Sequence, residues 1–273
     1  MKKIQDLIWP AILVLVMMVF MIPLLYMISM SFRTADNMFS PHLIVEGMTI
    51  NNYVRVLREN TDLVFNFMSS AIITISTVAI VTICSTMAVF GFSRKNVRGK
   101  MLIYNMLLCT LMIPLGGLVI PLTQINSRMG FIDSYFGLIL PYAALGIPFA
   151  ITILQGFMMM IPRELEEAAI IDGCGAIQLF LKIICPMLRQ GIVVIVIWQF
   201  LTSWNEFFLA LVTMTDSRRQ TLPLVAQRYS GAFFTQPGAL FAALTIITIP
   251  SLIFYIIVQK EFVKGLTAGA VKG

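Results

Sequence analysis

Glu164-Leu165-Glu166-Glu167-Ala168-Ala169-Ile170-Ile171-Asp172-Gly173, entered through Ile161-Pro162-Arg163, is the most telling stretch of this chain. It reads as a short acidic helix with a glycine stop. Pro162 suits the first helical turn, where a missing N–H costs nothing. The three glutamates sit near the positive end of the helix dipole. Gly173 can take the left-handed conformation that ends a helix. Ala168 and Ala169 carry almost no side chain, so another surface can approach the backbone closely. A loop that only joined its two neighbours would need none of this. The stretch reads as a docking element.

On either side of it the chain is apolar. It is 59% hydrophobic and 12% charged, with mean hydropathy +0.90. A soluble domain is about 45–50% apolar and about 25% charged. Six runs are long enough to cross a bilayer: residues 7–32, 65–92, 101–125, 136–161, 191–214 and 240–258. Each meets the requirement of about 20 apolar residues. The expectation is an all-α, polytopic membrane protein with six transmembrane helices. Lys2-Lys3 ahead of the first run resembles a signal peptide. The run exceeds an h-region of about 7–15 residues and no A-x-A-like site follows, so it reads as an uncleaved span.

Basic residues set the orientation. With six spans, one side holds Lys2, Lys3, Arg94, Lys95, Arg98, Lys100, Arg163, Lys182, Arg189, Lys260, Lys264 and Lys272, twelve in all. The other holds Arg33, Arg55, Arg58, Arg128, Arg218, Arg219 and Arg228, seven in all. The positive-inside rule puts both termini and the 162–190 loop in the cytoplasm. The net charge of +6 is answered by anionic membrane lipid without nucleic acid.

The second run carries Ser69, Ser70, Thr74, Ser76, Thr77, Thr82, Ser85 and Thr86, which suits a helix packed inside the bundle. Pro114, Gly116, Gly117 and Pro121 interrupt the third run, and Pro141, Gly146 and Pro148 the fourth. Kinked helices lining a path that opens and closes are one reading; ordinary kinking of membrane helices is the other. Glu206 is the acidic residue well inside a span, with Asn205, Trp204 and Trp198 close by. These four are candidate pathway or subunit-interface residues. Polar contact with a passing solute competes with a polar lock between helices or subunits. The segment 33–62, with the lone His42, suits a small amphipathic element outside the membrane.

No enzymatic constellation emerges. One histidine excludes His-based metal clusters, and Cys84, Cys109, Cys174 and Cys185 lack C-x-x-C spacing. No Walker A sequence occurs, so this chain is expected to bind neither ATP nor any other cofactor.

Glu167-Ala168-Ala169, three residues, Gly173, nine residues, Ile183, one residue and Cys185-Pro186 reproduce the EAA signature of ABC importer permeases, with Cys185 where leucine is usual. Ile161-Pro162, Trp204-Asn205-Glu206-Phe207 and the terminal Gly265–Gly273 stretch agree in order. From about Asn66 onward the chain resembles the maltose-type permeases of carbohydrate uptake. The resemblance implies the type I ABC importer permease fold. It also implies residues 1–64 as first span and external segment, a five-helix core over 65–260 with the EAA loop at about 162–190, and a cytoplasmic tail over 261–273.

It implies as partners a second permease subunit in a heterodimer, a cytoplasmic ATPase dimer and an extracytoplasmic solute-binding protein, in the inner (plasma) membrane. ATPase coupling falls to Glu164, Glu166, Glu167, Ala168, Ala169, Asp172, Gly173, Ile183 and Pro186. The tail residues Leu266, Thr267, Gly269, Lys272 and Gly273 would reach the ATPase interface. Permeases of the same superfamily for amino acids, polyamines or phosphonates are the alternative. An ion-coupled secondary transporter is a more distant one, since no repeat between halves is visible.

Overall fold

The computed structural model describes residues 2–38, 40–94, 99–230 and 236–270, with backbone alone for 2–8, 94 and 261–270. Among these residues the protein is built of helices, with no β-strand. In chain order they are α1 (Lys2–Ser31), α2 (Asn51–Glu59), α3 (Leu63–Arg94), α4 (Lys100–Thr110), α5 (Leu115–Met129) and α6 (Phe136–Met159). There follow α7 (Arg163–Ile171), α8 (Ala176–Leu179), α9 (Cys185–Met187), α10 (Arg189–Trp204), α11 (Phe208–Thr213) and α12 (Pro237–Ala270). The span-length helices α1, α3, α6 and α12 are each apolar enough to cross a membrane; the bent pairs α4–α5 and α8–α10 bring the total to as many as six.

The chain falls into two compact units. One comprises Met1–Leu63 with Pro223–Pro250, the other Val64–Leu222 with Ser251–Gly273. In the first, α1 is apolar all round from Trp9 onward, and every residue from Trp9 to Pro23 is exposed. Such a helix needs an apolar surrounding. Its C-terminal end is organised by Arg33, only 1% exposed. The guanidinium donates to the carbonyls of Ser40 (2.6 Å), Met38 (3.4 Å) and His42 and to Ser29 Oγ (3.2 Å), and it lies over the Tyr26 ring. A buried cation without such acceptors is expensive, so the carbonyls fix the course of 38–42. The Asn52 amide of α2 donates to the carbonyls of Ser31 (2.9 Å) and Arg33 (2.8 Å). The amphipathic element foreseen in 33–62 is α2.

The core of the second unit forms where α6 and α10 pack with α3. Val81, Val89, Ile151, Leu154, Met158, Ile184, Leu188 and Ile195 are buried together. Gly191 lets α10 approach α6: a Cβ there would stand 2.7 Å from the Phe157 ring. α3 buries Ser69, Ser70, Thr74, Thr77, Ser85 and Thr86 on one face, and exposes Phe65, Met68, Ile72, Ile75, Ile83 and Met87 on the other. Thr77, Ser85 and Thr86 donate back to carbonyls one turn earlier, on Ile73, Val81 and Thr82. Ser69 pairs with the Tyr135 hydroxyl at 3.0 Å, and Ser70 accepts the Leu222 N–H at 2.7 Å. The hydroxyl face therefore makes few bonds between elements; most are spent within its own helix.

The interruption expected at Pro114 is present, and four other expectations are corrected. The third span is two helices at 102°, α4 and α5, because Pro114 takes an extended conformation (ψ 141°) at the start of α5. α6 by contrast runs unbroken through Pro141 and Pro148. The fifth span stops at Trp204, so Glu206 lies in a break between α10 and α11 rather than inside a helix. Pro162 precedes α7 as its extended cap (ψ 137°) instead of occupying the first turn. The helix of the sixth span continues well past Val258, to Ala270.

Candidate functional site

The 162–190 segment is closed by its own backbone. After α7, Gly173 adopts φ +83°. The Cys174 N–H donates to the Ala169 carbonyl (2.9 Å) and the Gly173 N–H to that of Ile170 (3.0 Å). This pair of bonds satisfies the carbonyls that a helix end leaves over. Ala169 is buried and Cys174 packs against the core, so the stop is anchored. Glu164 and Glu166 occupy the first turn as the helix dipole favours.

The motif residues divide by face. Glu166 and Ala169 point inward, while Glu164, Glu167, Ala168, Asp172 and Gly173 are exposed. Leu165, Ile170, Ile171 and Ile177 are exposed beside them, Ile171 at 84%. Together they form an exposed acidic and apolar ridge around a bare Ala168. Ile183 is half-buried against the core and Pro186 is exposed. Pro186 removes an amide from the helix ladder, and Phe180–Ile184 just before it widens into a π-turn. From there the chain turns 74° into α10.

A second feature is a cavity of about 370 Å³ lined by residues of α4, α6 and α10 and by Glu206. Glu206 Oε1 accepts the Leu209 N–H (2.8 Å); Oε2 accepts the Ala210 N–H (3.1 Å) and the Tyr142 hydroxyl. The carboxylate thus caps α11 and ties it to α6. Trp198 lines the cavity, is 46% exposed and stacks on Phe149 at 4.4 Å. Trp204 is buried instead, stacked on Phe200, which in turn stacks on Phe254. Asn205 donates to the Leu201 carbonyl (2.8 Å) and is exposed. The cavity brings together Trp198 and Glu206 of the four candidates, but neither Trp204 nor Asn205.

Three residues of the second unit escaped the sequence reading. Gln199 is buried, donates to Ser203 Oγ (2.8 Å) and presses on Gly146, where a Cβ would stand 2.0 Å from its Oε1. Tyr142 offered no signal at all, being one aromatic in an apolar run. Asp133 sits in the α5–α6 turn at φ +56°. Its carboxylate accepts the N–H groups of Thr215 (2.5 Å) and Asp216 (2.8 Å) and the Thr215 hydroxyl (2.5 Å). Burial alone would raise its pKa; the Thr215 hydroxyl, the two N–H groups and Arg219 outweigh it and hold it below the usual value. A polar residue that tolerates positive φ, three positions after Gly130, was the available signal.

Of the tail candidates, Leu266, Thr267 and Gly269 lie on the last turns of α12, and Lys272 and Gly273 fall outside the described residues.

Residues 80–267, which include the whole 162–190 segment and Glu206, match the binding-protein-dependent transport system inner membrane component family. The chain belongs to that family. The permease is 34% identical to the trehalose/maltose transport system permease protein MalG of Thermococcus litoralis, over 95% of this chain and 94% of that one. It is 34% identical to the trehalose transport system permease protein SugB of Mycobacterium tuberculosis, over 97% of each. It is 35% identical to a putative ABC transporter permease protein, ORF2, of Caldicellulosiruptor sp., over 92% of each. A chain in the crystal structure of a bacterial ABC transporter involved in import of the acidic polysaccharide alginate superposes with TM-score 0.79 at 20% identity, covering 95% of this chain and 97% of that one. The fold is that of a type I ABC importer permease. The protein is a multi-pass membrane transport subunit and not an enzyme.

Proposed function

We propose that this permease forms half of the translocation path of an ATP-driven carbohydrate importer, with oligosaccharide as the substrate class. The observation that carries the reading is the closed, exposed ridge at Glu167, Ala168, Ile171 and Gly173, which fits a cleft in an ATPase subunit. Support for carbohydrate comes from relatives named for trehalose, maltose, diacetylchitobiose and multiple-sugar transport. In this reading Glu164, Glu166, Asp172, Ile183 and Pro186 keep the ridge in shape and join it to α10. A second permease completes the path as a heterodimer, an ATPase dimer supplies ATP and magnesium chemistry, and an extracytoplasmic binding protein delivers solute. Both termini and the ridge face the cytoplasm; Leu266, Thr267 and Gly269 on the last turns of α12 meet the ATPase, and Lys272 and Gly273 share that role.

Glu206 is a lock inside the permease, since both its oxygens are engaged by Tyr142 and α11. Trp198, with its exposed ring on the cavity, is the pathway residue of the four. Purifying the native complex, identifying its subunits and measuring ATP-dependent uptake with a solute panel is the test. Uptake of amino acids or polyamines in preference to sugars would overturn the substrate assignment. Uptake driven by an ion gradient without ATP would overturn the mechanism.

A further inference from the structure

The second unit holds a larger cavity, about 920 Å³, where the end of α3, the start of α4, the end of α6 and the entry to α7 meet. Its walls are amphiphilic. Phe92, Met101, Tyr104, Met158 and Met159 supply apolar surface, and Lys100 and Arg163 supply cations at the helix ends. Neither cation pairs with a carboxylate among the described residues. Glu164 also lines the cavity and leaves its rim one positive charge in excess. Gln155 accepts the Ser93 hydroxyl on Oε1 (3.0 Å), and its Nε2 has no partner among the described residues. Two cations and an amide nitrogen without a partner among the described residues, beside an apolar trough, suit an amphiphilic anion.

We propose that this cavity binds an anionic phospholipid. The headgroup phosphate is held by Lys100, Arg163 and Gln155, and an acyl chain lies along Met101, Tyr104 and Met159. Basic pockets between transmembrane helices at the membrane–water boundary bind such headgroups. A soluble phosphate would leave the apolar trough unfilled, which argues for lipid. The inference rests on the membrane orientation given above only for the leaflet it assigns, the cytoplasmic one. Ile161, Pro162, Arg163 and Glu164 both line the cavity and lead into α7.

The test uses the intact complex purified with its ATPase. An equimolar mixture of phosphatidylglycerol and phosphatidylcholine is offered, and the lipid retained is measured by native mass spectrometry. Preferential retention of phosphatidylglycerol is expected, falling about fivefold for each cation removed in K100Q and R163Q. A smaller loss is expected for Gln155→Leu, with the ATPase still bound in every case. Equal retention of the two lipids by the wild-type complex would overturn the proposal, as would unchanged preference in the K100Q/R163Q double variant. Displacement of phosphatidylglycerol by millimolar inorganic phosphate would instead mark a soluble-anion site. A cysteine at Met159 that crosslinks to another subunit would show the trough filled by protein. Either result also overturns the lipid assignment without touching the docking of α7, which is scored separately by ATPase retention.

Discussion

The Tyr142 hydroxyl donates to the Glu206 carboxylate across 64 positions of sequence, and the same carboxylate caps α11 through the Leu209 and Ala210 N–H groups. One side chain thereby satisfies two orphan donors of a helix start and joins that start to α6. Removing it exposes both costs at once. Glu206→Ala is expected to destabilise the permease by about 1–3 kcal/mol, from the lost cap and the stranded donors. Tyr142→Phe, which leaves the cap intact, should cost less. Thermal unfolding of the detergent-purified complex reads both. Equal stability of Glu206→Ala and wild type would remove the lock.

Gly173 has open space around its missing Cβ, with no atom within 4 Å, yet stands at φ +83°. Substitution is therefore strained by the backbone alone. Gly173→Lys should cost about 1 kcal/mol locally, leave insertion unchanged and weaken retention of the ATPase. Glu167→Lys, which reverses a charge on the ridge without backbone strain, should also weaken retention. Co-purification against membrane-fraction abundance separates the two effects. Normal retention and uptake in both variants would sink the docking assignment.

The two glycine-rich regions explain why some of this architecture was legible and some was not. α1, α3, α6 and α12 were readable because length and apolarity are summed over some 20 residues. The stop at Gly173 was readable because its chemistry is local. Pro114, Gly116 and Gly117 look much like Pro141, Gly146 and Pro148 in sequence, but only the first set ends a helix. The difference is tertiary. Gly146 is gripped by Gln199 and Val81 from other helices, whereas nothing approaches Gly116 or Gly117 within 4 Å. Glu206 was misplaced for the same reason. Its surroundings are apolar enough to pass for a span, and the partner that holds it outside a helix, Tyr142, is distant in sequence.

Orientation gives a direct readout. In a background without native cysteines, a cysteine at Ile177, on the exposed ridge, is expected to react from the cytoplasm. One at Ser217, in the exposed turn after α11, is expected to react from outside. Twelve basic residues against seven set this direction. Reversed labelling by a membrane-impermeant maleimide would invert the topology and take the ridge away from any cytoplasmic ATPase.

Asp133 should make its turn sensitive to acid. Its pKa is held below the ordinary 3.8, net of burial, chiefly by the Thr215 hydroxyl and the Asp216 and Thr215 N–H groups. A carboxylate whose folded pKa is depressed stabilises fully above its unfolded value, and that contribution fades as pH falls through the folded one. The clasp between 133 and 213–219 should therefore be indifferent to pH from about 5 upward and loosen only below about 4. Hydrogen exchange at the Thr215 and Asp216 amides, both donors to Asp133, is the measurement. Asp133→Asn keeps an acceptor but loses the charge. It should show faster exchange near neutral pH and no further acceleration, beyond the intrinsic pH dependence, between pH 5 and pH 3. An acid step of the same size in Asp133→Asn and wild type would mean that another group controls the turn.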